Sequence, residues 1–206
     1  MTTSGPHDSV VSAVARALAK QHDDATREVE AILDAALRVA ERVAPSAPRV
    51  ADIVAEAKTS NQAFYRYFSG KDELMDAVME RGVHRVATYL THQMSKESEP
   101  LEQIAAWIRG VLTQVTDRTA ARQGAAVSLQ LSRSEIDHEP PAGLGHLGDI
   151  LLVPVREAGS RSPELDTQVI QEAILGTMRR HVSRSTAPDK VERDHIVEFC
   201  LRGLSR

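Results

Sequence analysis

The 206-residue sequence predicts an all-α protein, and three observations favour this class. Apolar residues recur at helical spacing over long stretches such as 101–117. Strand-like runs are few. Aromatic residues make up only 3% of the chain, and the apolar content consists mainly of Ala, Val, Leu and Ile. A chain of this length can bury a sizeable core as one domain or two.

The helices succeed one another with short breaks. Val10, Val14 and Leu18 form the apolar stripe of an amphipathic helix over 8–21, which is an N-terminal extension (residues 1–23). A second helix covers 24–43, and Pro45 and Pro48 separate it from the next helix, because proline ends helices and suits their first turn. Later helices are predicted over 71–94, 101–117, 119–132, 142–158, 164–183 and 188–204; Pro154 should kink or cap the one over 142–158.

Residues 49–71 indicate two short helices joined by a tight turn. The first has its apolar residues on one face: Val50, Ile53, Val54 and Ala57. Ser60 can supply the N-cap of the second helix. The second helix turns Ala63, Phe64 and Phe68 inward and leaves Asn61, Gln62, Tyr65 and Arg66 outside.

This outward set has the chemistry of a DNA-reading surface. Asn and Gln amides can pair with adenine edges in the major groove, and Arg66 can contact guanine or phosphate. The hydroxyls of Tyr65 and Tyr67 can reach phosphate oxygens, and Lys71 opens a helix whose free N–H groups could share a phosphate with it. The whole chain has a formal net charge of −4, but residues 49–71 carry four basic side chains against two acidic ones. An ordinary helical hairpin with a polar face is the alternative.

The segment Ala-Phe-Tyr-Arg-Tyr-Phe-Ser-Gly-Lys-Asp-Glu-Leu (63–74) resembles the recognition-helix signature of tetracycline-repressor (TetR) type regulators. The resemblance extends over about residues 27–80. Three positions depart from it: Lys58 stands where a turn glycine is usual, Ala63 where a hydroxyl is common, and Arg49-Val50 replaces a hydroxyl start.

The resemblance implies a three-helix helix-turn-helix DNA-binding head (24–70) followed by a helical effector-binding and dimerisation body (71–206). It implies a homodimer on a palindromic operator, most often a repressor, released by a small effector. The expected DNA-binding residues are Arg49, Ser60, Asn61, Gln62, Ala63, Tyr65, Arg66, Tyr67 and Lys71.

The body carries two further expectations. An apolar effector pocket is expected around Trp107, the only tryptophan, with Leu129, Leu131 and Met178, and the absence of a clear charge there favours a hydrophobic ligand. The last two helices are apolar over more than one stripe, which exceeds what one-sided packing requires. Val169, Ile174, Phe199 and Leu201 are therefore expected at a dimer interface.

Other chemistry finds little support in the sequence. No catalytic constellation or cofactor motif stands out, and Gly143–Gly148 lacks the preceding strand that a dinucleotide fingerprint needs. His84 and His92 lie two helical turns apart, and no metal site is expected. The lone Cys200 and the lack of a signal sequence or membrane span favour a cytoplasmic protein. The alternative function is a helical small-molecule-binding protein or enzyme that shares only the helical hairpin.

Overall fold

A computed structural model describes residues 6–44, 46–116, 142–184 and 186–204 of the chain, and these residues form eight helices and no strand. The helices are α1 (Pro6–Val43), α2 (Val50–Glu56), α3 (Asn61–Tyr67), α4 (Lys71–Met94), α5 (Pro100–Thr116), α6 (Ala142–Glu157), α7 (Pro163–Arg184) and α8 (Lys190–Leu204). The all-α prediction is confirmed. The predicted helix over 119–132, with Leu129 and Leu131, lies outside the described residues.

Helix α1 is longer than the sequence pattern indicated. Residues 6–43 form one uninterrupted helix, so the boundary predicted between helices 8–21 and 24–43 is wrong. The intervening His22-Asp23 contains no glycine or proline, and such polar residues cost a helix only about 0.7 kcal/mol each or less. Val10, Val14 and Leu18 are more than half exposed, so the described residues leave the apolar stripe of this N-terminal part largely open.

The chain divides into two compact units, Met1–Leu74 and Met75–Arg206. In the first unit, α1 supplies more buried apolar residues than any other helix. The buried side chains of this unit include Ile32, Ala36, Val39 and Ala40 of α1, Ile53 and Val54 of α2, Phe64 of α3, and Phe68 and Leu74. Burial of these faces fixes the short helices α2 and α3, because helices of their length are not stable alone in water.

The second unit has a core built from α4 to α8. Its fully buried side chains include Leu90 of α4, Trp107, Ile108 and Leu112 of α5, Leu151 of α6 and Ile174 of α7. Helix α6 continues through Pro154 to Glu157 and ends before Gly159, whose φ of +87° suits glycine. None of the helices in the described ranges has both the length and the apolar character that crossing a membrane requires.

Candidate nucleic-acid interface

Helix α3 begins with the predicted cap. The hydroxyl oxygen of Ser60 accepts a hydrogen bond from the backbone N–H of Ala63 at 3.1 Å, which satisfies one of the free donors at the helix start. Ser60 is thus an N-cap, and its side chain serves the fold. Ala63 itself is buried at 5% exposure, so its inclusion among the DNA-contacting residues is wrong for its side chain. Its inward position results from the same helical period that buries Phe64.

The opposite side of α3 is open. Asn61, Gln62, Tyr65 and Arg66 are all exposed, as their spacing predicted. In the part of the chain that the structure describes, the two amides and the hydroxyl of Tyr65 have no hydrogen-bond partner. The ring of Tyr65 stands edge-on to that of Phe64, with 5.1 Å between centroids, so a buried neighbour orients it. This face therefore offers amide, hydroxyl and guanidinium groups to an external partner.

The turn between α2 and α3 contains a strained residue. Lys58 has a φ of +54°, the left-handed region in which a side chain costs about 1–2 kcal/mol. A glycine would adopt this conformation freely. The backbone N–H of Thr59 donates to the carbonyl of Val54 at 3.1 Å and helps hold the turn closed. The rest of the first unit therefore enforces a tight turn on an unfavourable residue.

One carboxylate of α1 contacts a residue just before α3 and the last residue of α3. Glu28 accepts hydrogen bonds from the hydroxyl of Thr59, at 3.1 Å, and from the hydroxyl of Tyr67, at 2.8 Å. The guanidinium of Arg66 lies 3.5 Å from the same carboxylate and 5.7 Å from the ring centroid of Tyr67. Tyr67 is half-buried, and its hydroxyl proton is already engaged. The sequence predicts the same phosphate contact for Tyr65 and Tyr67, but in the structure only the hydroxyl of Tyr67 is hydrogen-bonded to Glu28.

A second carboxylate joins α1 to α2. One carboxylate oxygen of Glu56 accepts a hydrogen bond from the Nε of Arg38, and the other accepts one from an Nη of Arg42, each at 2.9 Å. The hydrogen bonds from Arg42 and Arg38 hold the pKa of Glu56 below its ordinary 4.5. Arg38 and Arg42 are four residues apart and share one face of α1. The two helices are thus held by charge as well as by apolar packing.

The start of α4 is also occupied by a carboxylate. Glu73 accepts hydrogen bonds from the backbone N–H and the hydroxyl of Ser69, both at 2.6 Å, and these bonds lower the pKa of Glu73. Lys71, the first residue of α4, is half-exposed beside this cap. Arg49 precedes α2, is exposed, and makes no side-chain cap bond. Both cations are accessible to an external anion.

The second unit contains a cleft along α4. It has a volume of about 510 Å³ and is lined by His84, Ala87, Thr88, Thr91, His92 and Ser95 of α4 and by Ile150 of α6. The hydroxyls of Thr88 and Ser95 donate to the carbonyls of His84 and His92, so their oxygens keep the capacity to accept a further hydrogen bond. None of the lining side chains is an acid, a lysine or an arginine. The described residues contain no cluster of His, Cys, Asp and Glu that could hold a metal ion.

Two residues of the predicted effector pocket can be placed. Trp107 is fully buried, and its indole N–H donates to the carbonyl of Leu147 at 3.0 Å. It shares the core of this unit with Ala87, which also borders the cleft along α4, and Met178 packs half-buried against that core. Trp107 does not line the cleft itself. A contact between Trp107 or Met178 and a ligand stays a prediction.

The residues predicted at a dimer interface fall into two groups. Val169 of α7 and Phe199 of α8 are 63% and 70% exposed, and Leu201 is half-buried. Ile174 is fully buried in the core of its own unit, so its assignment to the interface is wrong. The apolar positions of α7 exceed one stripe, and the sequence pattern does not distinguish the stripe that faces α5 and α6 from the one that faces outward.

Several side chains that organise the site were not predicted from the sequence. Arg38 and Arg42 share a helix face, so their pairing with Glu56 had a detectable signal in that spacing. Glu28 lies 31 and 39 residues from its two hydroxyl partners, and no local pattern indicates those contacts. The spacing of His84 and His92 indicates no metal site, and the structure places both on the wall of one cleft.

A capped helix with an exposed polar face, held against two preceding helices, has the arrangement of a helix-turn-helix unit. Residues 32–78 match the bacterial regulatory proteins of the tetR family. The first unit therefore carries a region similar to the DNA-binding part of this family, as the resemblance implied.

Solved structures share its fold. A TetR-like transcriptional regulator from Rhodococcus sp. RHA1 is 22% identical, with a TM-score of 0.58 over 86% of this chain and 96% of its own. The fatty acid degradation regulator FadR from Bacillus halodurans is 17% identical, with a TM-score of 0.61 over 85% and 97%. FadR from Bacillus subtilis, solved with stearoyl-CoA, is 18% identical, with a TM-score of 0.58 over 85% and 97%. No curated protein matches the chain.

Proposed function

We propose that the chain is a ligand-responsive repressor of the cytoplasm that binds a palindromic DNA operator as a homodimer. The observation that carries this proposal is the exposed polar face of α3, which is capped by Ser60 and held to α1 by Glu28. The match of residues 32–78 to the tetR family supports the same function. A symmetric dimer would present two copies of this face to two half-sites about one helical turn of DNA apart or more.

The proposed contacts divide by chemistry. Asn61 and Gln62 are exposed amides at the start of α3, the end at which recognition helices contact base edges, and we assign base reading to them. Tyr65 and Arg66 lie on the same exposed side. A tyrosine hydroxyl can bind phosphate, and a guanidinium can bind phosphate or guanine. Lys71 and Arg49 are accessible cations and would neutralise phosphates without reading sequence.

Selection from a random-sequence duplex library tests the DNA-binding function. The wild-type protein should enrich one palindromic sequence. Asn61→Ala or Gln62→Ala should relax the base preference, with about 1–3 kcal/mol at stake for each good contact. Asp76→Ala, an exposed change on α4, is the control and should leave the preference intact. Enrichment of no sequence by the wild type would refute operator binding.

The dimer is proposed to form through α7 and α8. Leu165 and Val169 lie one turn apart on α7, and Val191 and Phe199 lie two turns apart on α8; all four are large apolar side chains that one chain leaves more than 60% exposed. Apolar patches of this kind mark interaction surfaces. A two-fold axis would pair each patch with its own copy. Sedimentation should find a dimer at micromolar concentration.

The effector is proposed to be a small, largely apolar molecule with a hydrogen-bonding group, bound in the cleft along α4. The volume of about 510 Å³ lies within the range of small-molecule sites. The imidazoles and hydroxyls of its wall can orient a polar group, while Ala87 and Ile150 supply apolar contact. Because no lining side chain carries a permanent charge, an ionic ligand would lose hydration there without a counter-charge. The stearoyl-CoA bound by the Bacillus subtilis regulator is compatible with an effector that has a long apolar part.

Trp107 gives this proposal a readout. The indole shares a core with Ala87, so a ligand in the cleft should shift its emission. A releasing ligand should be sought among uncharged amphipathic compounds, such as medium-chain alcohols, with the matching carboxylates for comparison. His84→Ala and Thr91→Val should weaken its effect on DNA binding, whereas Thr177→Val on α7 should not. A ligand whose effect on DNA binding is the same in the wild type and in both cleft variants would refute this location.

A further inference from the structure

We infer that Glu28 positions the recognition helix α3 and assigns different roles to its two tyrosines, Tyr65 to DNA and Tyr67 to the fold. The inference rests on the proposed DNA-binding function and deepens it. It starts from the geometry of the Glu28 carboxylate on α1. This carboxylate accepts a hydrogen bond from the hydroxyl of Thr59, just before α3, and another from the hydroxyl of Tyr67, the last residue of α3.

Helix α3 needs such a support because it is short. It has seven residues, too few for a stable helix in isolation, so contacts with the rest of the first unit decide its orientation. Ala63 and Phe64 anchor one side by burial. Apolar packing is not directional, whereas two hydrogen bonds to one fixed carboxylate resist rotation of the helix about its own axis. The direction of Asn61 and Gln62 therefore depends on Glu28, although neither touches it.

The hydrogen bond from Tyr67 has a consequence for phosphate binding. A tyrosine hydroxyl has one proton to donate, and phosphate oxygens can only accept. Tyr67 donates its proton to Glu28 at 2.8 Å, so in this arrangement it cannot also donate to a phosphate. The hydroxyl of Tyr65 is exposed and has no hydrogen bond within the described residues. Tyr65 is therefore the tyrosine that binds phosphate.

Arg66 occupies an intermediate position. Its guanidinium is 3.5 Å from the Glu28 carboxylate, and both side chains are partly exposed, at 60% and 32%. Exposed ion pairs of this kind contribute little, so Arg66 can exchange Glu28 for a phosphate at small cost. The carboxylate keeps its two hydroxyl donors when Arg66 leaves. Its negative charge near the DNA-binding face also opposes binding to any phosphate backbone, whatever the sequence.

Two duplexes and four substitutions test the inference. The specific probe is the duplex that the wild-type protein selects from a random library, and the non-specific probe is an alternating dI·dC duplex. Glu28→Ala should weaken specific binding by about tenfold or more, the usual scale for a lost hydrogen bond to a charged group. Because it also removes a negative charge, its affinity for the non-specific duplex should stay the same or rise. Simple destabilisation of the fold would lower both affinities.

The tyrosines should behave differently from each other. Tyr67→Phe should lower specific binding only, and combining it with Glu28→Ala should add little, because both remove the same bond. Tyr65→Phe should lower the affinity for both duplexes by a similar factor. Glu28→Gln keeps an acceptor oxygen without the charge and should retain specific affinity within about threefold.

Asp24→Ala is the matched control. It removes another carboxylate of α1 that pairs only with Arg27 in the described structure, and it should leave the ratio of the two affinities unchanged. Additive losses from Glu28→Ala and Tyr67→Phe would overturn the inference, as would equal losses on both duplexes for Tyr67→Phe. If Glu28→Ala fails to fold, the comparison of the two tyrosine variants decides the matter. A wild-type protein that selects no sequence overturns the proposed function and, with it, this inference.

Discussion

Replacing Phe199 by arginine should separate the proposed dimer without unfolding the chain. Phe199 is 70% exposed on α8, so within one chain it has little packing to lose. A phenylalanine side chain presents roughly 200 Å², and burying its exposed part at about 25 cal/mol per Å² contributes about 3.5 kcal/mol. Each copy of a two-fold interface loses this amount. The dissociation constant should therefore rise by at least about 300-fold.

Sedimentation over a range of concentrations measures the dissociation constant, and urea denaturation measures the stability of the separated chains. Val153→Arg is the control, because Val153 is an exposed apolar residue of α6, 57% exposed, and lies outside the proposed interface. It should leave association unchanged. A Phe199→Arg protein that remains as dimeric as the wild type at micromolar concentration would refute the assignment of α8 to the interface, and unfolding of that variant would show that Phe199 is needed within its own chain.

Four other residues can each be tested by a single measurement. Lys71→Ala should weaken binding to all duplexes alike and reduce the slope of log K against log salt concentration by about 0.9, the effect of one phosphate contact; an unchanged slope would remove Lys71 from the interface. Lys58→Gly should raise the free energy of unfolding by about 0.5–1 kcal/mol, because relief of about 1–2 kcal/mol of strain outweighs the extra freedom of glycine in the unfolded chain; urea denaturation checks the sign. Arg42 and Arg38 lower the pKa of folded Glu56 below 4.5, so the stabilisation that Glu56 gives the fold is present above about pH 4.5 and is lost as the pH falls through the folded value. Glu56→Gln should therefore flatten the acid side of a curve of unfolding free energy against pH. An unchanged curve would contradict this linkage. Burial raises the pKa of the Cys200 thiol, so a thiol-specific chromogenic disulfide should react slowly with the native protein at pH 8 and rapidly in denaturant; rapid native reaction would mean that the thiol is exposed.

The helices that the sequence predicted well are those in which local rules agree. Ser60 precedes α3 and caps it, and the inward position of Phe64 results from the helical period. The error at α1 arose where the local signal was weak, because aspartates disfavour a helix only slightly and nothing in residues 22–24 ends one. Helix α6 runs through Pro154 to Glu157, in agreement with the bounds predicted from the sequence.

The sequence by itself determined the all-α class, the capped recognition helix and the set of polar side chains that α3 turns outward, because these depend on helical period and on capping over a few residues. The tertiary structure decided the relations between distant residues. It brought Glu28 to Thr59 and Tyr67, placed Ile174 in the core but left Val169 exposed, and gathered His84 and His92 with Ile150 around one cleft. A carboxylate on one helix and a hydroxyl on another come into contact only when apolar burial has fixed both helices, so no local sequence pattern predicts that contact.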